Sequence, residues 1–218
     1  MSDVLPIHLC ICGEYGSGKS TAAATAPAPQ LVLSCDPVGK ERPYIRAALA
    51  AKASRMVTPD PSTALYSRPD SSVQCRIERY HDADLTSPTA YSRLSARIHL
   101  LEAGEAEQYA SVIIDSLTFV ELAARKMHQY KLDPTAKDPR KWFGGSTDSL
   151  EELLMLRLGA LPCHLIVLAH IDEEKDELHG MIVRSPKAPG RLRRSLGAAF
   201  SALYRAYAVS DEDGVLQY

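Results

Sequence analysis

The chain has 218 residues, of which 45% are hydrophobic and 24% are charged, and its formal net charge at pH 7 is −2. We therefore expect a single domain over residues 1–218, without an overall charge that would attract nucleic acid or a membrane surface. No apolar run approaches the ~18 residues that cross a bilayer, and none of the five cysteines forms a C-x-x-C pair, which favours a cytoplasmic protein without membrane contact, zinc site or disulfide framework.

The first predicted elements are a strand over residues 6–12 and a helix over 19–25, joined by the sequence GEYGSGKST. This sequence satisfies G-x-x-x-x-G-K-[ST], the P-loop pattern, in which backbone N–H groups surround a phosphate. Lys19 is expected to neutralise the outer phosphate oxygens, and the Ser20 hydroxyl to reach Mg²⁺. The predicted nucleotide-binding residues are Gly13, Gly16, Ser17, Gly18, Lys19, Ser20 and Thr21.

The segment LVLSCD predicts a second strand over residues 31–35, followed by Asp36. A carboxylate at this strand end can orient or deprotonate an attacking water, or contact the acceptor of a small-molecule kinase. The elements predicted next are a helix, a surface loop, a strand and a helix, over 41–54, 55–72, 73–80 and 88–104.

The run SVIID predicts a buried strand over residues 110–115 that ends at Asp115. Because ligands of open α/β sheets bind at the carboxyl ends of the strands, Asp115 is the expected partner of Mg²⁺ together with Ser20. Asp115 is also a favoured N-cap for the helix predicted over 117–131, and the two roles are compatible. A polar loop and a further helix are predicted next, over 132–146 and 147–160.

The segment HLIVLAH predicts a strand over residues 164–170. If this strand neighbours the strand that ends at Asp115, His170 lies beside the γ-phosphate and can sense it through a hydrogen bond; a structural histidine is the alternative. The alternation of strands and helices predicts an α/β fold with a mostly parallel twisted sheet and helices on both faces. A C-terminal β-hairpin is predicted, with its turn at the sequence DEDG.

Two absences narrow the class of nucleotide-binding protein. The sequence contains no asparagine, so it lacks the N-K-x-D motif of a GTPase. The residue after Asp115 is Ser116, whereas a transporter-type ATPase has a glutamate there. A hydrolytic base must therefore come from elsewhere, and Asp36 is the candidate.

Five segments follow one another in the order GEYGSGKST, LVLSCD, SVIIDSLT, LIVLAHIDEEKD and KAPGRLRRSLGAAFSALYRAY. In this order and spacing they resemble the RecA-like P-loop ATPases of phage genomes, AAA-family proteins that include ATPases of recombination and single-strand annealing modules. The resemblance covers most of the chain and implies a RecA-like fold, binding of ATP and Mg²⁺, and a location in the host cytoplasm.

Residue by residue, the resemblance implies that Lys19 and Ser20 hold phosphate and metal, that Asp115 is the strand carboxylate and that His170 is the sensor. Asp36 stands where this group usually has a glutamate, and its side chain is one methylene shorter. Its carboxylate therefore reaches less far toward a water than the glutamate of this group does.

The candidate DNA contacts are cationic and aromatic residues of two segments: Lys137, Arg140, Lys141 and Trp142 in the first, and Lys187, Arg191, Arg193 and Arg194 in the second. Interleaved cations and aromatic faces suit single-stranded DNA, and the second segment contains no acid between Glu177 and Asp211. A solvated charged face, with Trp142 anchoring a loop, is the alternative. Arg191 or Lys187 is also a candidate for reaching the γ-phosphate of a neighbouring copy, which implies a ring or filament.

Three functions remain open from the sequence. The first is Mg²⁺-dependent ATP hydrolysis coupled to single-stranded DNA binding, recombination or annealing in a homo-oligomer. The second is a small-molecule or nucleotide kinase. The third is a nucleotide-gated assembly protein with negligible hydrolysis.

Overall fold

The computed structural model describes residues 5–37, 39–176, 179–210 and 216–217. Within them, the strands of the main sheet are β1 (His8–Gly13), β2 (Gln30–Ser34), β3 (Ser54–Met56), β4 (Thr63–Ser67), β5 (Val73–Arg79), β6 (Ser111–Asp115), β7 (His164–Asp176), β8 (Met181–Pro186) and β9 (Ala202–Ala206). The helices are α1 (Lys19–Ala23), α2 (Arg42–Ala50), α3 (Ala90–Glu102), α4 (Leu117–Met127), α5 (Pro139–Glu151) and α6 (Leu192–Ser195). None of the helices in this part of the chain is both long and apolar enough to cross a membrane.

The main sheet has the spatial order β3-β4-β5-β2-β6-β7-β1-β9, and β8 pairs with the outer part of β7. The six strands that are adjacent in the order β5-β2-β6-β7-β1-β9 are all parallel, whereas β3, β4 and β8 pair antiparallel with their neighbours. The carboxyl ends of β1, β2 and β6 therefore meet at one edge of the sheet, level with His170 of β7, which continues beyond this edge and pairs with β8. This edge is where an open α/β sheet binds its ligands.

Helices cover both faces of the sheet, because successive side chains of a strand point to opposite faces. On β2, Leu31 and Leu33 belong to the core cluster that contains the buried residues of α3 and α4, whereas Val32 belongs to the cluster on the side of α1 and α2. β6 and β7 alternate between the two clusters in the same way. This two-sided burial explains the nearly continuous apolar sequences of these strands.

The five predicted strands are confirmed as β1, β2, β5, β6 and β7, with shifted ends. The prediction that 55–72 is a surface loop was wrong, because this segment contains most of β3 and all of β4. The prolines at 59, 61 and 69 gave it the composition of a loop. β4 forms through its antiparallel pairing with β5, which buries Ala64 and Tyr66.

The prediction of a loop over 132–146 was also wrong at its end, because α5 begins at Pro139. The N-cap is Asp138, whose side chain accepts a hydrogen bond from the backbone N–H of Arg140 at 3.0 Å. The Pro, Ser, Asp and Gly residues of 132–146 gave this segment the composition of a loop. Gly145 lies against the ring of His128, where a Cβ atom would be 2.5 Å from the ring nitrogen Nδ1, so a glycine is needed there for packing.

The predicted C-terminal hairpin is present as a short antiparallel pair, β10 (Val209–Ser210) and β11 (Leu216–Gln217). Its turn lies outside the described residues. The residues that precede it form β9, which is parallel to β1 in the main sheet and not part of the hairpin.

Candidate active site

The loop between β1 and α1 has the backbone geometry that its glycines predict. Gly16 and Gly18 have φ angles of 77° and 81°, in the left-handed region that favours glycine. A Cβ atom on Gly13 would lie 2.4 Å from the backbone oxygen of Ala206 and 2.5 Å from the Ser17 hydroxyl. The backbone at Gly13 is therefore packed tightly against the end of β9 and against Ser17 of the same loop.

Lys19 folds back into this loop. Its ammonium group donates to the backbone oxygens of Gly13 and Glu14, at 3.0 and 2.6 Å, and its side chain is buried. Burial lowers the pKa of Lys19, and the carboxylates of Asp115 and Asp36 oppose this shift. A positive charge is thus held at the centre of the loop, where an anion would be neutralised.

Ser20 and Asp115 are brought together from opposite parts of the sequence. The Ser20 hydroxyl donates to Asp115 Oδ2 at 2.8 Å. Asp115 is 5% exposed, and burial followed by the charge of Asp36 raises the pKa of its carboxyl to about 6. The structure thus pairs the two residues predicted to order Mg²⁺.

Asp36 lies beside Asp115 because β2 and β6 are neighbouring parallel strands, with Ser34 in register with Asp115. The Ser116 hydroxyl donates to Asp36 Oδ1 at 2.7 Å. Ser116 is buried and Asp36 is half-buried. One dipeptide, Asp115-Ser116, therefore supplies a carboxylate and a hydroxyl that orients the second carboxylate.

His170 lies next to the P-loop, because it is in register with Gly13 on the neighbouring strand. β7 also neighbours β6, as the sensor interpretation requires. The backbone N–H of His170 donates to the Thr118 hydroxyl at 3.2 Å, and its ring meets Phe119 edge-on at 6.2 Å. Burial, followed by the charge of Lys19, lowers the pKa of His170, which favours a neutral ring at pH 7.

Two cavities of about 590 and 540 Å³ flank the P-loop. Both are lined by Ser17 of the loop and by Arg205, Ala206 and Tyr207 at the end of β9, and Thr21 lines the smaller one. Tyr207 is 64% exposed. The sequence contained no signal for these β9 residues, because their position beside β1 depends on a pairing across most of the chain.

The structure changes the interpretation of the predicted DNA contacts. Arg191 pairs with Asp148 and Glu151, at 2.6 and 2.8 Å, and Arg193 pairs with Asp172 and Glu174, both at 2.8 Å. The expectation of an unbalanced positive segment was wrong for these two arginines, because acids distant in sequence lie beside them.

Two candidates of the first predicted segment, Arg140 and Trp142, also have partners within the chain. Arg140 pairs with Asp138 at 2.8 Å, and the half-buried Trp142 donates from its indole nitrogen to the Asp133 carbonyl at 3.1 Å, as the anchoring alternative expects. The remaining candidates, Lys137, Lys141, Lys187 and Arg194, are exposed. The two segments do meet, since Arg140, Lys187, Arg191 and Arg193 line one cavity of about 770 Å³.

Comparisons with known proteins agree with the fold. No protein-family model matches the chain, and no curated protein matches it. Among solved structures, 61 chains match. One is a prototypical ATPase from the type III secretion system of pathogenic bacteria, with a TM-score of 0.54 and 13% sequence identity over 96% of this chain and 53% of that one. The chain thus spans about half the length of that ATPase, and the likeness shows a RecA-like P-loop fold.

Proposed function

We propose that the chain binds Mg²⁺-ATP at the P-loop and hydrolyses it. The observation that carries this proposal is the contact between the Ser20 hydroxyl and the Asp115 carboxylate, at 2.8 Å, next to a loop that already holds Lys19 at its centre. These are the parts that position phosphate and metal in P-loop proteins. The likeness to an ATPase of RecA-like fold agrees with the proposal.

The donor atoms of this site fit Mg²⁺. Ser20 and Asp115 offer hard oxygen donors, which Mg²⁺ prefers, and the described residues contain no cluster of three or more His, Cys, Asp or Glu side chains that would form a closed protein cage. Ser20 and Asp115 would hold such an ion, and its other ligands would come from phosphate oxygens and water. When bound, Mg²⁺ supplies neutralisation of the charge that develops on the phosphate oxygens.

Different residues of the chain have separate roles in the proposed hydrolysis. Lys19 neutralises the phosphate oxygens from within the loop, and Asp36 orients the attacking water and accepts its proton. Ser116 fixes the direction of the Asp36 carboxylate. We propose that His170, whose lowered pKa favours a neutral ring at pH 7, forms a hydrogen bond that depends on the γ-phosphate.

The base of the nucleotide is proposed to lie in the cavity between the P-loop and the end of β9. This cavity has a volume of about 590 Å³, and Tyr15 and Tyr207 are among the residues that line it. An aromatic ring next to the phosphate loop offers a stacking face for a purine.

Coupling of hydrolysis to single-stranded DNA, and with it membership of the phage recombination class, rests on the exposed cations Lys137, Lys141, Lys187 and Arg194. The ion pairs of Arg191 and Arg193 reduce the positive charge available to a phosphate backbone. For Arg191 to reach a neighbouring copy's γ-phosphate, its pairs with Asp148 and Glu151 would have to break. DNA coupling and a ring or filament are therefore secondary parts of the proposal.

A phosphotransferase is the second candidate, because a further cavity lies on the His170 side of the proposed site. This cavity, of about 770 Å³, is lined by Thr118, the residue that binds the backbone of His170, and by Lys187. A diffusible acceptor bound there would approach from the His170 side. In that case phosphoryl transfer would exceed basal hydrolysis.

The test is ATP binding together with the steady-state ATPase rate, both with Mg²⁺, measured for the wild type, Lys19→Ala and the matched surface variant Lys131→Ala. Lys19→Ala should lose ATP affinity by about tenfold or more, since it removes a charged contact to phosphate, whereas Lys131→Ala should behave as the wild type. Equal ATP binding by Lys19→Ala and the wild type would overturn the proposal. Added single-stranded DNA and acceptor screens separate the motor, kinase and assembly alternatives.

A further inference from the structure

Tyr44, in the first turn of α2, is a buried tyrosine whose hydroxyl reaches into the proposed metal site. Its side chain is 1% exposed and belongs to the apolar cluster that contains Val32 and Ala48. A hydroxyl in such surroundings needs a partner, since an unsatisfied buried polar group is costly. The partner is Asp115, whose Oδ2 accepts the Tyr44 hydroxyl at 2.8 Å.

The oxygen that Tyr44 contacts is the same one that Ser20 contacts. Asp115 Oδ2 thus accepts two hydroxyl hydrogens, one from α1 and one from α2, both at 2.8 Å. Two donors that approach one oxygen from different elements restrict rotation of the carboxylate about its Cβ–Cγ bond. The geometry of the Ser20–Asp115 pair is therefore set by three residues, and the third was not recognisable from the sequence.

We propose that Tyr44 is a positioning residue for the metal-ordering carboxylate: it holds Asp115 in the orientation that Ser20 and Mg²⁺-nucleotide require. This inference rests on the proposed function, because it assigns Tyr44 to the same site. Tyr44 acts through Asp115, whose carboxylate accepts its hydroxyl hydrogen. Its hydroxyl is expected to matter for the dependence of nucleotide binding on Mg²⁺ and not for contacts to the nucleotide itself.

A purely structural tyrosine would satisfy its hydroxyl elsewhere, and the chain contains such a residue. Tyr91 is also buried, and its hydroxyl donates to the backbone carbonyl of Ser149 at 3.0 Å, with no contact to the site. Tyr44→Phe and Tyr91→Phe each delete one buried hydroxyl and keep the ring. They are therefore a matched pair that separates positioning from packing.

The experiment is a Mg²⁺ titration of the binding of a fluorescent ATP analogue. For Tyr44→Phe, the half-saturating Mg²⁺ concentration should rise about tenfold, as expected for loss of a hydrogen bond to a charged group, while affinity in EDTA stays at the wild-type value. Tyr91→Phe should match the wild type in both measurements, even if its melting temperature falls. An unchanged Mg²⁺ requirement in folded Tyr44→Phe overturns the inference.

A second measurement uses the wild type alone and does not depend on the folding of a variant. In protein labelled with ¹³C at the tyrosine Cζ position, addition of Mg²⁺-ATP should shift the Tyr44 resonance and leave that of Tyr91 in place. A Tyr44 resonance that does not move overturns the inference. Failure of the wild type to bind Mg²⁺-ATP, by contrast, overturns the proposed function, so the two failures are distinguishable.

Discussion

Ser116 donates its hydroxyl hydrogen to Asp36 across two neighbouring strands, at a distance of 2.7 Å. In this chain a serine follows Asp115, for which we propose the metal-ordering role, and the second carboxylate, Asp36, follows the adjacent strand β2. The serine thereby connects the two carboxylates of the site. The effect of Ser116 on the rate of hydrolysis can be measured separately from its effect on nucleotide affinity.

We expect Ser116→Ala to lower the rate of ATP hydrolysis by about 10- to 100-fold, because an unrestrained Asp36 no longer holds the water in line. The affinity for ATP should stay close to the wild-type value, since Ser116 contacts Asp36 and not the loop. Single-turnover kinetics and nucleotide binding measure the two quantities. Asp36→Asn is the reference for complete loss of the base, and an unchanged rate in Ser116→Ala would contradict the assigned role.

The carboxyl of Asp115 should make the metal-free protein less stable as the pH rises. The pKa of this carboxyl is raised from 3.8 to about 6 in the folded chain, so the folded state keeps the proton to a higher pH than the unfolded state does. The resulting contribution to the free energy of unfolding is complete below pH 3.8 and is lost as the pH rises through 6. A shift of this size corresponds to about 3 kcal/mol. Folded Asp115→Asn has no such group to ionise.

Urea unfolding in EDTA between pH 4 and 8 measures this effect. The free energy of unfolding of the wild type should fall relative to that of Asp115→Asn across this range, with most of the change at and below pH 6. Parallel pH profiles for the two proteins would show that the carboxyl is not perturbed. Addition of Mg²⁺-ATP at pH 8 should recover stability in the wild type only.

Gly13 should tolerate no side chain. A Cβ atom there would lie 2.4 Å from the backbone oxygen of Ala206, so Gly13→Ala must move β9 or the loop, at a cost of about 1–3 kcal/mol in the free energy of unfolding. Gly144, inside α5, has no atom within 4 Å of such a Cβ, and Gly144→Ala should stabilise the chain by about 0.5–1 kcal/mol. Chemical denaturation of both variants checks the opposite signs.

Tyr207 should contribute to nucleotide affinity by stacking on the base. We expect Tyr207→Ala to weaken ATP binding about tenfold, as is usual when an aromatic stacking face is lost. Tyr204 is a matched control, since it is also exposed and lies on β9 but does not line either cavity beside the P-loop. Equal losses in Tyr207→Ala and Tyr204→Ala, measured by calorimetry, would remove the stacking assignment.

The parts of the site that could be predicted from sequence were those whose geometry is local. The P-loop is a short contiguous pattern, and Asp115 and His170 each end an apolar run whose direction in a parallel sheet is known. Tyr44 could not be predicted, because a tyrosine in the first turn of a helix has no signature until α2 packs over the strand ends. The ion pair of Arg193 with Asp172 was hidden for a similar reason, since it joins residues of separate segments.

The position of β1 in the sheet has a consequence for synthesis of the chain. Among the described strands β1 precedes both of its neighbours in the sheet by a long stretch of sequence, since β7 and β9 begin only at His164 and Ala202. In a nascent chain the P-loop strand therefore lacks these two partners until β7 has been synthesised, and pairings of such long range form late. A ribosome-bound fragment that ends before β7 should fail to retain nucleotide, however complete its P-loop sequence is.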